Sequence, residues 1–310
     1  MTGVSVVIPA YTAARYIADT LDSVLAQHTT RPVECIVVDD GSQDDTVAIV
    51  RAHGPRVRLI EQSNSGPSAA RNRGLAACTF PLVAFIDADD LMVPYRLERQ
   101  AAALEVNPAT VLCHSACGLI DAQGAPIAQQ DTPTDDPSFS GDVCARLFRA
   151  NFVWLSSVML RKQPFLEAGA FDPSLRFCED YEAWMRLSLK GRFQYVPEAL
   201  VSYRVHPGQA TGQRSKINIG CIQAREMLLL KHPQMGRQLG RGVVEQTFHR
   251  VALDLGYASM VAGDLAAARW ILGRGWAHSP GSVRIAATYL KSFLPASLRR
   301  RMGRQPDGAT

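Results

Sequence analysis

Short strand-like runs alternate with helical patterns through the first hundred residues, and this alternation constrains the chain more than any other feature. Val4–Ile8 reads as a buried strand stopped by Pro9, and residues 13–27 then place Ile17, Leu21, Val24 and Leu25 at helical spacing. Cys35–Val38 is the next strand, ending in Asp39-Asp40-Gly41-Ser42, with a helix from about Asp44–Thr46 to His53. Val57–Ile60 is a third strand. The loop Asn64-Ser65-Gly66-Pro67 leads into an alanine-rich helix over Ser68–Ala77. Leu82–Ile86 is a fourth strand that runs straight into Asp87-Ala88-Asp89-Asp90, and Pro94–Val106 is helical again. Strand, helix, strand, helix predicts an α/β fold, a Rossmann-like, mostly parallel sheet with helices on both faces.

After residue 110 the alternation degrades. Val111–Ile120 reads as a strand and Asp121-Ala122-Gln123-Gly124 as a hairpin turn, whereas residues 128–140 are polar and read as a loop. Val153–Leu160 and Ala199–Arg204 read as strands, with a helix over Asp180–Leu189 between them. Beyond residue 214 the pattern is only helical, over 214–231, 236–262, 264–275 and 281–292. The expected organisation is a catalytic α/β domain, 1–212, followed by a helical C-terminal extension, 213–310.

Composition narrows the classes. The 310 residues are 47% hydrophobic and 20% charged, which excludes disordered and fibrous chains. No apolar run reaches the roughly 18 residues that cross a bilayer. Strand-like residues begin at Val4, which leaves no room for a secretory leader, so a cytoplasmic protein is expected. Seven scattered cysteines imply no disulfide framework. The net charge of +4 is too small to argue for nucleic acid, but Lys291, Arg299, Arg300, Arg301 and Arg304 gather near the C-terminus.

Ligands of open α/β sheets bind at the carboxyl ends of strands, so three tips should line one edge. Pro9-Ala10-Tyr11 lacks the glycines of a dinucleotide-binding turn, and Tyr11 either stacks on a base or is an exposed loop residue. At the second tip a carboxylate can accept from a base imino group or ribose hydroxyls, while Asp44 and Asp45 read as helix-capping residues. The third tip places three carboxylates within four residues, a costly repulsion unless a cation is present. In extended chain Asp87 and Asp89 point to one side, and such hard oxygen ligands suit Mg²⁺ or Mn²⁺ shared with a substrate diphosphate. The alternative is a surface turn in which Asp90 caps the following helix.

Six blocks in order carry a family resemblance. Ser5-Val6-Val7-Ile8-Pro9-Ala10-Tyr11, Val37-Val38-Asp39-Asp40-Gly41-Ser42, Gly66-Pro67-Ser68-Ala69-Ala70-Arg71-Asn72-Arg73-Gly74 and Asp87-Ala88-Asp89-Asp90 resemble the family 2 glycosyltransferases with the GT-A fold. Phe171-Asp172 through Glu179-Asp180-Tyr181-Glu182-Ala183-Trp184, and Tyr203-Arg204-Val205-His206, agree with it. The resemblance spans roughly residues 3–210. One departure is Thr12, where an Asn often follows the tyrosine.

The resemblance implies a nucleotide-sugar donor, with a UDP-sugar the expected class, a Mn²⁺ or Mg²⁺ ion bridging its diphosphate at a DXD-type motif, and inversion at the anomeric carbon. It implies a glycan or lipid-linked acceptor in cell-surface polysaccharide or glycolipid synthesis. Carried over, Pro9, Tyr11 and Asp40 hold the nucleobase region, Asp87 contacts the ribose or supports the metal, and Arg71 lies near the nucleotide. Asp89 is the metal ligand with Asp90 the other candidate, His206 sits near the diphosphate or metal, and Asp180 is the catalytic base.

Single displacement needs one carboxylate to take the proton of the attacking acceptor hydroxyl. Asp180 stands at an expected helix start, where the dipole keeps a carboxylate ionised, although a plain helix N-terminus has the same look. Two other readings stand beside this one: a sugar nucleotidyltransferase, whose Gly-rich basic loop is missing from Pro9–Arg15, and a non-catalytic nucleotide-sugar-binding module. The C-terminal helices with Trp270, Trp276, Phe293, Leu298 and the arginine cluster are either a cap packed on the catalytic domain or an amphipathic basic surface for an inner membrane leaflet. The cap is the preferred of the two.

Overall fold

The computed structural model describes residues 1–127, 136–209, 212–295 and 297–298. The chain forms two compact units, Met1–Gln209 and Ala210–Thr310.

The first unit opens with β1 (Val4–Ala10), α1 (Ile17–Leu25), β2 (Val33–Asp39), α2 (Thr46–Ala52), β3 (Val57–Glu61), α3 (Pro67–Ala77) and β4 (Leu82–Phe85). It continues with β5 (Leu91–Met92), α4 (Arg96–Val106), β6 (Thr110–Ile120), β7 (Pro126–Ile127), α5 (Cys144–Arg149), β8 (Met159–Arg161), α6 (Lys162–Glu167), α7 (Glu179–Leu187) and β9 (Arg192–Arg204). Among the described residues these strands form one sheet in the order β3-β2-β1-β4-β8-β6-β9-β5, with β7 beside β6. The strands β3, β2, β1 and β4 are parallel, as the alternation predicts. The other half is mixed: β8 is antiparallel to both β4 and β6, β5 to β9 and β7 to β6, while β6 and β9 run parallel.

The chain builds outward from β1 to β3 and then returns to the other side of β1 with β4. That reversal leaves a crevice beyond the carboxyl ends of β1 and β4, where an α/β sheet accepts a ligand. Val4, Val6, Ile8, Cys35, Val37, Leu82 and Ala84 are buried in one core with Ile17 and Leu21 of α1. A near-continuous apolar strand is what burial on both faces demands.

Helix α3 lies against the sheet at Gly74. A Cβ built there falls 2.5 Å from Val7 Cγ1 and 3.2 Å from Val38 Cγ2, so the helix approaches as closely as a missing side chain allows. Gly74→Ala is expected to cost about 1–3 kcal/mol, the usual range for overpacking, measured as a lower urea midpoint with an unchanged slope.

Several elements differ from the sequence expectation. The strand expected over Val153–Leu160 is a 3₁₀ turn at Leu155–Ser157 followed by β8. Ser157 Oγ donates to the Trp154 carbonyl at 2.8 Å, a local bond that competes with strand pairing. The strand expected to begin at Ala199 begins at Arg192. Pro197 falls where the β6 register shifts between Ser115 and Ala116, and the pairing resumes beyond it. Of the loop expected over 128–140, residues 128–135 lie outside the described residues and Pro137–Phe139 forms a 3₁₀ turn.

The second unit is helical: α8 (Arg214–Lys231), α9 (Pro233–Leu239), α10 (Arg241–Val261), α11 (Leu265–His278) and α12 (Val283–Lys291). The single helix expected over 236–262 is two, because Gly240 takes φ +77° and ends α9. Phe248, Ala252, Ala268, Ile271, Leu272 and Ile285 are buried within this unit. The arginines at 299, 300, 301 and 304 lie outside the described residues.

Candidate active site

Three strand tips converge, and each is held by its own polar contacts. Beyond β1, Tyr11 is 55% exposed and Thr12 takes φ +50°. Thr12 N donates to Ser42 Oγ at 2.9 Å, which ties this tip to the next. A left-handed backbone disfavours a β-branched residue and suits Asn, a physical reason for Asn at the position where this chain departs from the pattern it resembles. Thr12→Asn is expected to raise the unfolding free energy by about 1 kcal/mol, read from the urea midpoint.

Beyond β2, Asp40 is buried and fastens the loop to α3. Its Oδ1 accepts from Gln62 Nε2 at 2.7 Å and Ser65 N at 2.8 Å, and its Oδ2 accepts from Gly66 N at 2.8 Å. A carboxylate offers about four lone-pair sites, so capacity for one further donor remains. Asp39 Oδ2 accepts from Gly41 N and Ser42 N, while its buried Oδ1 has no partner. Asp39, Ser42, Gln43, Gln62 and Asn64 line a cavity of about 600 Å³ at this end of the edge. Pro9 is the β1 residue paired with Val38.

Beyond β4 the chain turns instead of remaining extended, because Asp90 N donates to the Asp87 carbonyl at 3.2 Å. This corrects the expectation that Asp87 and Asp89 share a face by strand alternation. The turn is fixed from beneath: Thr20 Oγ1 of α1 donates to the carbonyls of Ala88 and Asp90, and Asp87 N donates to Ser156 Oγ. The two metal candidates separate here. Asp89 reaches the surface of the crevice and Asp90 is fully buried, its Oδ1 accepting from Arg204 N at 2.9 Å. Burial and the neighbouring Asp89 and Asp87 charges raise the Asp90 carboxyl well above the ordinary range.

The end of β9 closes on this turn. Arg204 is buried, and its Nε donates to the Asp89 carbonyl at 2.8 Å. His206 Nε2 lies 2.9 Å from Asp89 Oδ2, and its ring stands 4.8 Å from that of Tyr16. Gly208 N donates to His206 Nδ1 at 3.2 Å, which places the imidazole proton on Nε2, facing the carboxylate. Among the described residues no three His, Cys, Asp or Glu side chains cluster as a metal site. Asp89 with His206 beside it nevertheless suits Mg²⁺ or Mn²⁺, which take one or two protein ligands and fill the rest from phosphate and water. Ligation through Nε2 requires the imidazole proton to move to Nδ1 and displace the Gly208 contact.

Helix α7 reaches the same place through Arg71. Its two terminal nitrogens donate to Asp87 Oδ1 at 2.9 Å and to Glu179 Oε1 at 2.8 Å, so one buried guanidinium joins the β4 tip to the first residue of α7. Burial opposes the Arg71 charge, but the two carboxylates more than offset it and hold the group protonated. Asn72, the next residue, donates to the Phe171 carbonyl and accepts from Phe171 N, closing the same seam. Asp180 follows Glu179 and is partly buried, with Oδ1 accepting from Tyr181 N at 2.7 Å. Burial first, then the Glu179 charge, push its carboxyl up to about 7, the range of a working general base.

The edge thus brings together Tyr11, Asp40, Asp87, Asp89, His206 and Asp180. It commits Arg71 and Asp90 to holding the edge in shape. Sequence reasoning missed Glu179, Ser156 and Thr20 as supports. The ion pair from Arg71 to Glu179 spans 108 positions, a separation at which no periodicity signals contact.

Comparison with known proteins agrees with this fold. Residues 5–124 match the model of glycosyl transferase family 2. An uncharacterized glycosyltransferase of Nostoc sp. is 30% identical over 212 residues, 66% of this chain and 65% of that protein. One from Rickettsia prowazekii is 26% identical over 209 residues, 67% of this chain and again 65% of the relative. Among solved structures, S. aureus TarS in complex with UDP-GlcNAc aligns with a TM-score of 0.61 at 17% identity, covering 96% of this chain and 92% of that one. The mannosyltransferase PcManGT from Pyrobaculum calidifontis, in complex with GDP-Man and Mn²⁺, aligns with a TM-score of 0.61 at 19% identity over 96% of this chain and 80% of that one. Motifs, fold and relatives converge: the chain belongs to the family 2 glycosyltransferases and carries their GT-A fold.

Proposed function

We propose that this protein transfers a sugar from a nucleotide-sugar donor to a hydroxyl of a glycan or lipid-linked acceptor, with inversion, in the synthesis of a cell-surface polysaccharide or glycolipid. The observation that supports this most directly is the Arg71 bridge, which holds the start of α7 at the β4 tip and so sets a raised carboxyl, Asp180, beside the acidic turn. The cavity beside Asp39 is the space we assign to the nucleobase end, with the free acceptor capacity of Asp40 available to a base imino group and Pro9 and Tyr11 assigned to the same end. Asp87 faces the ribose side. Asp89 and His206 would hold a divalent ion, which supplies charge neutralisation for the departing diphosphate. Asp180 takes the proton of the acceptor hydroxyl and orients it toward the anomeric carbon. Donors of the kind bound by the two solved relatives, UDP- and GDP-sugars, fit this assignment.

Release of free nucleoside diphosphate from a panel of UDP-, GDP-, TDP- and CMP-sugars, with and without Mn²⁺, tests the reading without an acceptor. Metal-dependent release from one donor is the expected result. Tight donor binding without release, even in the presence of short glycan acceptors, would favour a binding module. Failure to bind any donor would overturn the proposal.

A further inference from the structure

Charge is distributed very unevenly between the two units. Residues 210–310 hold fifteen Lys and Arg against five Asp and Glu, a net +10, whereas residues 1–209 hold 18 against 24, a net −6. The modest total of +4 conceals a strongly cationic helical unit. On α12 most of the large apolar residues are exposed. Ile285 is buried against the rest of the unit, but Val283 is 81% exposed, Leu290 66% exposed, and Ala287 between them is exposed too. These three recur at i, i+4 and i+7, which is one stripe of a helix. Arg284 and Lys291 flank that stripe on one side. Phe293 just beyond the helix is 56% exposed, with the Arg269 guanidinium 4.0 Å from its ring centre. Within its own unit α12 therefore buries Ile285 and turns Val283, Ala287 and Leu290 outward.

We propose that α12 forms an interfacial anchor for an anionic lipid bilayer. An outward apolar stripe bordered by cations is the pattern that lies in a headgroup layer, with aliphatic and aromatic side chains in the acyl boundary and Lys and Arg at the phosphates. No helix among the described residues is long and apolar enough to cross a membrane, so the contact is one of surface. Lys291 and the arginines at 299, 300, 301 and 304 extend the positive charge along the chain. A second copy of this chain is disfavoured as the occupant because two +10 surfaces repel. Nucleic acid would match the charge and leave the apolar stripe in water.

The full chain is sedimented with vesicles of phosphatidylcholine alone and of phosphatidylcholine mixed equally with phosphatidylglycerol. Binding to the mixed vesicles at least about tenfold tighter than to the neutral ones, and weakened by salt, is expected. Val283→Gln with Leu290→Gln leaves the charge unchanged at two exposed positions and is expected to lose most of that binding while keeping the wild-type melting temperature. Equal partitioning to both vesicles, or no binding to either, overturns the proposal. So does binding that the Gln pair leaves intact, since the contact would then be charge alone. Concentration-dependent self-association lost in the Gln pair without vesicle binding assigns the stripe to a second copy and also overturns it. None of these readouts depends on glycosyl transfer.

Discussion

At pH 8, Asp180→Asn is expected to unfold at a higher urea concentration than the wild type and to turn over donor about 10²- to 10⁴-fold more slowly. The two effects have one cause. Burial and the adjacent Glu179 charge raise the Asp180 carboxyl to about 7 in the folded protein, against roughly 4 in an unfolded chain. Between those values the folded state binds the extra proton, so wild-type stability falls as pH rises from about 4 to 7 and then levels off. Asparagine removes the charge and with it that loss. Three pKa units correspond to about 4 kcal/mol, and because Asp180 is partly open to water the expected gain is about 1–3 kcal/mol at pH 8, vanishing near pH 4. The same proton silences Asp180 in its proposed role as base, so wild-type kcat/KM should fall about tenfold per pH unit below 7. Urea titrations in divalent-free buffer at pH 4.5 and 8 with both proteins measure the first effect, and a pH–rate profile the second. A stability gap independent of pH, or a flat profile from pH 5 to 8, would remove Asp180 from the role of base.

The parallel half of the fold was legible because β1, β2 and β4 each hold an unbroken apolar run that ends at a turn. Burial on both faces writes itself into the sequence as unbroken apolar runs such as Val6-Val7-Ile8 and Ile36-Val37-Val38. The mixed half was not, since β9 contains Pro197 and exposed positions, and its length is set by pairing with β6. The same division holds at the site. Asp89, Asp180 and His206 stand in local motifs, so their types and spacing were readable, and the structure brings them to one edge. What the sequence could not reveal is which polar residues spend their capacity on one another. Asp90 looks like Asp89 in sequence, yet one is buried on the Arg204 amide and the other faces His206. Arg71 looks like a cation for a nucleotide, and only the fold shows both of its terminal nitrogens already engaged by carboxylates.

Arg71→Met should therefore cost stability first, by about 3–5 kcal/mol, the usual penalty for removing one partner of a buried ion pair. The Arg71 side chain is 7% exposed and that of Glu179 12%, so little water replaces the lost donors. Without the cation, Glu179 and Asp87 face each other across the seam between α7 and the β4 turn. Arg71 also lowers the Asp180 carboxyl, so its loss should move the acid limb of the rate profile to higher pH. Arg71→Lys keeps the charge but not two separate donors at the right spread, and should recover only part of the loss. The discriminating measurement is a double-mutant cycle with Glu179→Gln. Neutralising the carboxylate that Arg71 leaves stranded should make the double variant more stable than the sum of the two single losses, by about 1–3 kcal/mol. An arginine that served the nucleotide directly would behave differently. Its removal would raise the donor KM, leave the urea midpoint near that of the wild type, and show no coupling to position 179. The two outcomes separate a residue that builds the site from one that reads the donor, and the bond lengths at Arg71 predict the first.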